Sequence, residues 1–458
     1  MLDCVQKRKI RNVAMTWKTW LYLHKYNLLK PGSIAYFKRL MAYEKMSRDE
    51  LEDLHWKKVF SLIRHAVFYS KFYREKLKKI GANIEDFTTP EAFDAFPVLT
   101  RDELQEHFDE ILCDNTSRSA LNLSTTGGSS GQPAAVFMPK AFPRAALGWR
   151  MLSWWGLEPA VNWSRTYRNT APGLKEKIIQ GVVDFPIKTV LLNASSFTES
   201  DIVVFLDRFN KKKPPLLQGY VGAIDNVAEY ILAHKLNVHK PEAVWVTSAP
   251  LSEIQRARIE KAFHSPVYDQ YGCCEVFWLA AECQAHKGLH IFYDARRIDF
   301  LGDDLHSVQV GQLGKIAITD LENYSFPIIR YLNDDMGRLL TTRCGCGCSL
   351  PLMDHVRGRI SDSIHLPSGR CLNGEFMTTL FDRHPDAIKR FHVHQNKDFS
   401  IVVKVVPNCC EELMKKILQE IVQDLKHNTF NEVEITTKIV LAIDLIKGKL
   451  RFVTSDCK

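Results

Sequence analysis

The stretch PLLQGYVGAIDNVAEYILAHKLNVHKPEAVWVTSA (residues 215–249) contains the pattern that decides the fold. Its two apolar runs, PLLQGY and AVWVTSA, flank a segment over 221–235 with helical character, and a second helix is predicted over 252–263. GKIAITDL (314–321) has the composition of a further strand. Short apolar strands that alternate with helices are typical of α/β layers. We therefore predict an α/β fold between about residues 120 and 350.

The preceding residues predict helices. Apolar side chains recur at near-helical spacing between residues 50 and 80. Thr100, followed three residues later by Glu103, has the spacing of a capping box that begins another helix.

The residues after 380 predict a second, smaller unit. IKRFHVHQ (388–395) and FSIVVKVV (399–406) are expected strands, and VEITTKIVLAI (433–443) is a third. EELMKKILQEIVQDLKH (411–427) is expected to form an amphipathic helix, whose apolar positions are Leu413, Ile417, Ile421 and Leu425. Glycine and cysteine cluster at 344–374, so we predict a multi-layer α/β domain over 1–356 and a small α+β domain over 357–458.

The length and amino-acid composition indicate which broad class of protein this is. With 458 residues, 45% hydrophobic and 25% charged, the chain matches an ordinary globular protein of two or more domains. No run approaches the roughly 18 to 20 apolar residues of a membrane span. The first residues lack the apolar core of a secretory signal. Twelve cysteines without such a signal favour reduced thiols or metal ligands, so a cytoplasmic location is expected.

The net charge of +8 is modest, and 53 acidic residues are mixed with the basic ones. This balance suits an anionic small molecule and predicts no nucleic-acid partner. A basic helical extension is expected over about residues 1–48, and two interpretations remain open for it: a solvated amphipathic helix, or peripheral contact with a membrane or partner. Its basic and aromatic residues are Lys7, Arg8, Lys9, Arg11, Lys18, Trp17, Trp20 and Tyr22.

LNLSTTGGSSGQP (121–133) is dense in hydroxyl groups and glycines, which allow backbone N–H groups to approach an anion. The common nucleotide loop requires a lysine after its last glycine, whereas Gly131 precedes Gln132 and Pro133. Taken alone, this segment is either an ordinary loop or a phosphate site.

Four further segments follow it in order: YDQYGCCE (268–275), SFPIIRYLNDDMG (325–337), RGRISD (357–362) and IKGKLRF (446–452). Each has an ordinary explanation. Glu275 could be a surface acid, Asp335 a turn residue, Asp362 a helix cap and Lys449 a solvated lysine.

Together, the five segments resemble the adenylate-forming superfamily, which activates carboxylates with ATP. The resemblance is closest to its phenylacetate–CoA ligase-like branch, and there to the CapK-type proteins of capsular polysaccharide biosynthesis. It covers about residues 50 to 458 and implies a large N-terminal adenylation domain with a mobile C-terminal lid. The implied reaction is formation of an acyl-adenylate from ATP, followed by acyl transfer to a thiol, with coenzyme A as the default acceptor.

The resemblance also implies residue roles. Glu275 would hold Mg²⁺, Lys449 would bridge the attacking carboxylate and the α-phosphate, and Asp362 would be the hinge. Residues implied at the triphosphate are Thr125, Thr126, Gly128, Ser129, Ser130 and Gly131. Residues implied at the nucleoside are Ser248, Ala249, Pro250, Tyr271, Gly272, Asp335 and Arg359.

Some positions depart from the family pattern. Cys273 and Cys274 replace small hydroxylated residues, and Asn333 with Asp334 adds a charge near the implied ribose site. The loop HLPSGRCLN (365–373) differs from that of many coenzyme A ligases. Transfer to an amine, as in an amide ligase, is therefore an alternative, and a non-catalytic nucleotide-binding scaffold is another.

Cysteines and histidines in two segments suggest a metal. AAECQAHKGLH (280–290) and RCGCGCSLP (343–351) offer thiolates and imidazoles, which zinc binds four at a time in tetrahedral geometry. Relatives in the branch carry similar segments, which implies a structural zinc at Cys283, His290, Cys344 and Cys346. His286 is the substitute histidine.

Overall fold

The computed structural model defines the fold. It describes residues 16–125, 135–167, 181–194, 197–356, 364–368, 371–372, 377, 380–381, 383–384, 386–443 and 451–457. Its α-helices are α1 (Trp17–Leu29), α2 (Ser33–Tyr43), α3 (Arg48–Tyr69), α4 (Lys71–Lys79), α5 (Arg101–Glu106), α6 (Phe108–Ile111), α7 (Ala145–Trp154), α8 (Glu199–Lys212), α9 (Val221–Ala233), α10 (Glu253–Phe263) and α11 (Glu411–Asn428). Short 3₁₀ helices span Ile84–Phe87, Ala92–Ala95 and Arg118–Ala120.

The strands alternate with these helices. They are β1 (Leu121–Thr125), β2 (Ala135–Pro139), β3 (Trp163–Tyr167), β4 (Thr189–Asn193), β5 (Leu216–Tyr220), β6 (Ala243–Thr247), β7 (Val267–Tyr271), β8 (Ala280–Glu282), β9 (Leu289–Ile291), β10 (Arg296–Leu301), β11 (Gly314–Asp320), β12 (Tyr331–Gly337), β13 (Leu352–Met353), β14 (Ile364–His365), β15 (Cys371–Leu372), β16 (Ile388–Gln395), β17 (Ile401–Pro407), β18 (Ile435–Ile439) and β19 (Val453–Ser455).

The central sheet has eight strands in the order β13-β9-β8-β7-β6-β5-β3-β4. Strands β4, β3, β5, β6 and β7 are parallel, and β8, β9 and β13 continue the sheet antiparallel. Every residue of β6 and β7 is buried, because helices cover both faces. One face packs against α8, α9 and α10 and the other against α1, α2 and α7. The predicted α/β fold is confirmed.

A second layer lies beside β7. The hairpin β1–β2 and the antiparallel sheet β10-β11-β12 share an apolar core with α3 and α4. The helix expected over 50–80 is two helices, because Ser70 is buried in extended backbone and donates a hydrogen bond to the carbonyl oxygen of Glu110 at 2.9 Å. The capping box of Thr100 and Glu103 is present.

The last part of the chain forms a four-stranded sheet, β18-β17-β16-β19, covered by α11. Met414 takes the buried position expected for Leu413, which is 46% exposed. A spacing of four drifts around a helix of 3.6 residues per turn, so Leu413 falls outside the stripe that Ile417 and Ile421 begin. The C-terminal unit is the small α+β layer that the sequence predicts. Among the described residues, none of the helices combines the length and apolar character needed to cross a bilayer.

Candidate active site and metal-ligand cluster

The carboxyl ends of β5, β6 and β7 lie at one edge of the central sheet, where open α/β sheets bind ligands. The hydroxyl of Thr247, the last residue of β6, donates to Oε1 of Gln270 at 2.9 Å. Ser248 follows with a φ of 74°, a left-handed conformation that is strained for a residue with a side chain. Its side chain is exposed, while Ala249 and Pro250 are half-buried. The turn over residues 247–250 therefore lies at the edge of the sheet with Ser248 exposed.

A buried hydrogen-bond network joins β7 to β12. The Tyr271 hydroxyl donates to Oδ2 of Asp335 at 2.8 Å, and Nδ2 of Asn333 donates to both the tyrosine hydroxyl and Oδ2 at 2.7 Å. Burial, followed by the Asp335 charge, raises the pKa of Tyr271 well above 10, so this hydroxyl remains a donor. Asp335 is a buried strand residue, which contradicts its interpretation as a turn residue.

Asn333 contacts both Tyr271 and Asp335. The sequence alone showed it only as a departure from the family pattern. It fixes Asp335 through its side chain, and its Oδ1 accepts from the backbone N–H of Asp335 at 3.2 Å. Asp334 is exposed, whereas both of its neighbours are buried. Successive side chains of a strand point to opposite faces of the sheet, so the charge of Asp334 lies on the face opposite the Asp335 carboxylate.

Glu275 lies beyond β7 and is only 5% exposed, so it is not a surface acid. The hydroxyl of Tyr331 donates to its Oε1 at 3.1 Å. Burial, reinforced by the Glu275 charge, raises the pKa of both Tyr331 and Cys273, which keeps the phenol and the thiol protonated. The adjacent Cys274 carbonyl accepts from the hydroxyl of Ser124, so β1 lies against this segment.

Gly272 is required by close packing. A Cβ atom there would lie 2.9 Å from both Nε2 of Gln270 and the backbone nitrogen of Trp278. Thr125 ends β1. The other residues implied at the triphosphate, together with Arg359, Asp362 and Lys449, lie outside the described residues.

The four residues named for zinc come together. The ligand atoms of Cys283, His290, Cys344 and Cys346 all lie within 4.8 Å of one another. The sulfur atoms of Cys283 and Cys344 are 3.5 Å apart, and Sγ of Cys346 is 3.3 Å from Nε2 of His290. Two ligands about 2.3 Å from one tetrahedral zinc are separated by roughly 3.8 Å. The cluster therefore has the dimensions of a zinc site.

Hydrogen bonds orient these ligands. Nδ1 of His290 lies 2.9 Å from the carbonyl oxygen of Leu350, which leaves Nε2 facing the thiols. The backbone N–H groups of Ala285 and Cys348 donate to the sulfurs of Cys283 and Cys346. A hydrogen bond from the neighbouring Cys283 thiol, with the His290 charge, lowers the pKa of Cys346 below its ordinary value, which favours the thiolate that a metal binds.

His286 lies apart from the four ligands. Its ring stacks on Tyr268, with centroids 5.0 Å apart, and its Nδ1 is 3.5 Å from Oε1 of Glu282. Cys348 is half-buried, and burial raises its pKa.

Sequence inspection missed a buried ion network beside this cluster. Glu282 accepts two hydrogen bonds of 3.0 Å from Nη2 of Arg256, and its Oε1 is 3.2 Å from Nε2 of His355. Burial lowers the pKa of His355, but its contacts with Asp269 and Glu282 outweigh this and raise it to about 10. Charged residues 26 to 86 positions apart in the sequence give no local signal for such a network.

A second set of unpredicted contacts holds the C-terminal sheet against α9 and α10. Arg390 on β16 donates to Oε2 of Glu229 at 2.8 Å, and Nζ of Lys389 lies 2.5 Å from Oε1 of the same residue. Arg258 on α10 pairs with the buried Asp225 at 2.8 Å and also donates to the carbonyl oxygen of Lys389. The contacts of Glu229 with Lys389 and Arg390, and of Arg258 with the Lys389 carbonyl, therefore join the C-terminal sheet to α9 and α10.

The chain is similar to known proteins both in sequence and in structure. Protein CapK of Staphylococcus aureus is 23% identical over 435 residues, which cover 89% of each chain. Phenylacetate-coenzyme A ligase of Escherichia coli (strain K12) is 22% identical over 355 residues, 71% of this chain and 75% of that one. No family model matches the sequence. In structure, 2-hydroxyisobutyryl-CoA ligase in the postadenylation state with 2-HIB-AMP matches with a TM-score of 0.74 at 18% identity, over 90% of this chain and 91% of the ligase.

These similarities to adenylate-forming ligases agree with the resemblance of the five motifs. The relatives in sequence include phenylacetate-coenzyme A ligases, the branch that the motifs resemble. The structural match shows the shared fold, and the residues of the site carry the argument about chemistry.

Proposed function

We propose that this protein activates a carboxylic acid with ATP and transfers the acyl group to coenzyme A. First, a carboxylate oxygen attacks the α-phosphate, and the bond between the α- and β-phosphates breaks to give acyl-AMP and pyrophosphate. Then the thiol sulfur attacks the acyl carbon, AMP leaves and the thiol proton is released. The observation that carries this proposal is the pair of buried acids, Glu275 and Asp335, which Tyr331 and Tyr271 hold at the carboxyl edge of the sheet.

Glu275 is the proposed ligand for Mg²⁺. Its carboxylate is buried and, among the described residues, forms no ion pair with a lysine or arginine. A buried carboxylate is costly unless a cation or metal compensates its charge. Magnesium prefers such oxygen ligands and, when bound, neutralises phosphate charge. Tyr331 would fix the orientation of the carboxylate.

Asp335 is the proposed acceptor for the ribose hydroxyls. Tyr271 and Asn333 donate to its Oδ2 and hold the buried carboxylate on β12, and a carboxylate accepts the hydrogen bonds that ribose hydroxyls donate. We also propose that the turn over residues 248–250 and the close-packed Gly272 border the adenine. Both segments end parallel strands beside Asp335.

Other roles rest on the family resemblance alone. We propose that residues 125–131 surround the triphosphate, that Arg359 reaches the nucleotide, and that Asp362 is the pivot between a domain over 1–356 and a lid over 357–458. Lys449 would compensate the charge that develops as one anion attacks another. A carboxylate is already anionic, so the first step requires positioning and charge compensation but no general base.

We further propose that zinc occupies the cluster formed by Cys283, His290, Cys344 and Cys346. Four protein ligands leave no position for substrate, so the zinc would be structural. It would connect β8 and β9 to the loop that precedes β13. The protein would act in the cytoplasm, where thiols remain reduced.

ATP–pyrophosphate exchange with a panel of carboxylic acids tests the first step. Exchange with at least one acid is expected, and ATP binding without exchange for any acid would instead indicate a nucleotide-binding scaffold. Coenzyme A or an amine, such as an amino sugar, is then added to the enzyme with ATP and the acid that supports exchange. The product identifies the acceptor. An acyl-amide product would replace the thioester assignment while leaving the adenylation step intact.

Two variants assign the proposed roles. Lys449→Ala should slow acyl-AMP formation by roughly 10²- to 10³-fold and leave transfer from preformed acyl-AMP nearly unchanged. Lys438→Ala, which alters an exposed lysine of β18, is the matched control. Asp362→Pro should preserve adenylation and block transfer, since proline fixes φ near −65° at the proposed pivot. Equal losses in both half-reactions would contradict these assignments.

A further inference from the structure

Helix α1 is apolar on two opposite faces. Its inner face buries Thr19 and Leu23 against α2 and α7. At 100° per residue, Trp17, Trp20, Leu21, His24 and Leu28 fall within an arc of about 100° on the opposite side. In that outer stripe Trp17 is 66% exposed, Trp20 54% and Leu28 81%. An ordinary surface helix presents charged or polar residues there.

The stripe belongs to a helix that is firmly held. The ring of Trp149 on α7 packs edge-on against Tyr22, Tyr26 and Phe37 at 5.1 to 6.0 Å. The hydroxyl of Thr16 donates to Glu158 at 2.5 Å at the start of α1. These contacts fix which side of the helix faces outward, so the exposure of the tryptophans follows from the packing.

A second pair of exposed apolar side chains lies on a segment bonded to α1. Nζ of Lys25 donates to the carbonyl oxygens of Val182 and Phe185, and these two apolar side chains are 64% and 57% exposed. Single exposed apolar residues are normal, but a contiguous set that includes two tryptophans indicates an interaction surface.

The charges near the stripe select the partner. Lys18 and Lys25 lie at one margin of the stripe on the helical wheel. Residues 1–30 contain seven lysines and arginines and one acid, Asp3, while the segment of Val182 and Phe185 adds one acid, Asp184, whose charge acts on Lys25. Two copies of this face would bring like charges together, whereas an anionic lipid surface complements them. Tryptophan is also the side chain that favours the interface between headgroups and acyl chains.

We propose that the outer face of α1, with Val182 and Phe185, docks this protein on a membrane surface that contains anionic lipids. The helix would lie in the plane of the interface, with its tryptophans among the headgroups and Lys18 beside lipid phosphates. The docking is peripheral and does not depend on the proposed reaction.

Flotation of the full chain with lipid vesicles tests this proposal. Vesicles of phosphatidylcholine mixed with phosphatidylserine should bind the protein, those of phosphatidylcholine alone should bind it more weakly, and added salt should reduce the difference. The double variant Trp17→Ala/Trp20→Ala should weaken binding by at least about tenfold. Lys18→Glu should weaken binding to the anionic vesicles by about tenfold and have little effect on the neutral ones.

Matched controls distinguish docking through this face from nonspecific adsorption to vesicles. Phe68→Ala removes another aromatic side chain, 70% exposed on α3, and Lys212→Glu reverses an exposed charge at the end of α8. Both should bind vesicles like the native protein. Leu28→Ala serves as a second stripe variant if the double variant unfolds at lower temperature. No vesicle binding by the native chain, or equal binding by the stripe variants, would overturn the proposal. So would a concentration-dependent dimer that the stripe variants abolish.

Discussion

Replacing Asp335 with asparagine tests the proposed ribose contact. If the amide oxygen takes the place of Oδ2, it keeps the hydrogen bonds from Tyr271 and Asn333, so the fold is preserved. The amide nitrogen then presents a donor where the carboxylate presented an acceptor. A hydrogen bond to a charged group contributes about 1.5–3 kcal/mol, so ATP affinity should fall by at least about tenfold.

The ligand can be altered in the same experiment. Calorimetry with ATP and with 2′,3′-dideoxy-ATP forms a double-mutant cycle between carboxylate and ribose. The native protein should bind the dideoxy nucleotide at least about tenfold more weakly, and Asp335→Asn should discriminate little between the two. Asp334→Asn, which changes the exposed neighbouring acid, should behave like the native protein. If the native protein binds both nucleotides equally, or if Asp335→Asn weakens both equally, Asp335 does not contact the ribose.

Three further outcomes are expected. Tyr331→Phe removes the donor to Glu275, so higher Mg²⁺ should be needed for half-maximal pyrophosphate exchange, with about a tenfold shift. Cys344→Ser should lose the one zinc per chain that elemental analysis is expected to find, whereas Cys348→Ser should retain it. Burial raises the pKa of Glu44 from its ordinary 4.5 to about 7, so the native free energy of unfolding should fall as pH rises through that interval. Glu44→Gln should remove this fall, which amounts to about 3 kcal/mol, in urea unfolding followed from pH 4 to 8.

Each of these outcomes has a control or a contrary result. Tyr73→Phe removes another buried hydroxyl, which donates to the carbonyl oxygen of Pro327 at 3.0 Å, and should leave the Mg²⁺ requirement unchanged. If zinc-free protein has the same free energy of unfolding as the purified protein, the four residues are ordinary thiols and an imidazole rather than zinc ligands. Glu412→Gln alters an exposed acid on α11 and should preserve the native pH dependence of unfolding. A matching pH dependence in Glu44→Gln would assign the effect to another group.

Short-range patterns determined much of the fold. The capping box of Thr100 and Glu103 depends on residues three positions apart, so the sequence alone located it. The alternation of apolar strands and helices over 215–263 likewise predicted the parallel layer. The boundaries shifted where tertiary contacts intervened, as at Ser70, whose buried hydroxyl stabilises a break between two helices. The domain boundary at 357 remains a prediction.

Motif order named candidate residues for the site, and their roles remain predictions. The sequence pointed to Glu275, Asp335 and the four proposed zinc ligands because the chemistry of their side chains and the family pattern suggested them. Only the tertiary structure shows that Glu275 and Asp335 are buried and that Asn333 holds Asp335, because burial and hydrogen-bond partners depend on distant strands.

The same limit applies to contacts across the fold. Glu282 and His355 are 73 residues apart, and Arg390 and Glu229 are 161 apart, so no local pattern predicts either pair. Sequence also left open whether the tryptophans of the N-terminal extension lie on a solvated amphipathic helix or make a peripheral contact. Packing of Trp149 against Tyr22 and Tyr26 decides which side of α1 faces outward. A helix of mixed composition can bury either face, and the partner against which it packs determines which face remains at the surface.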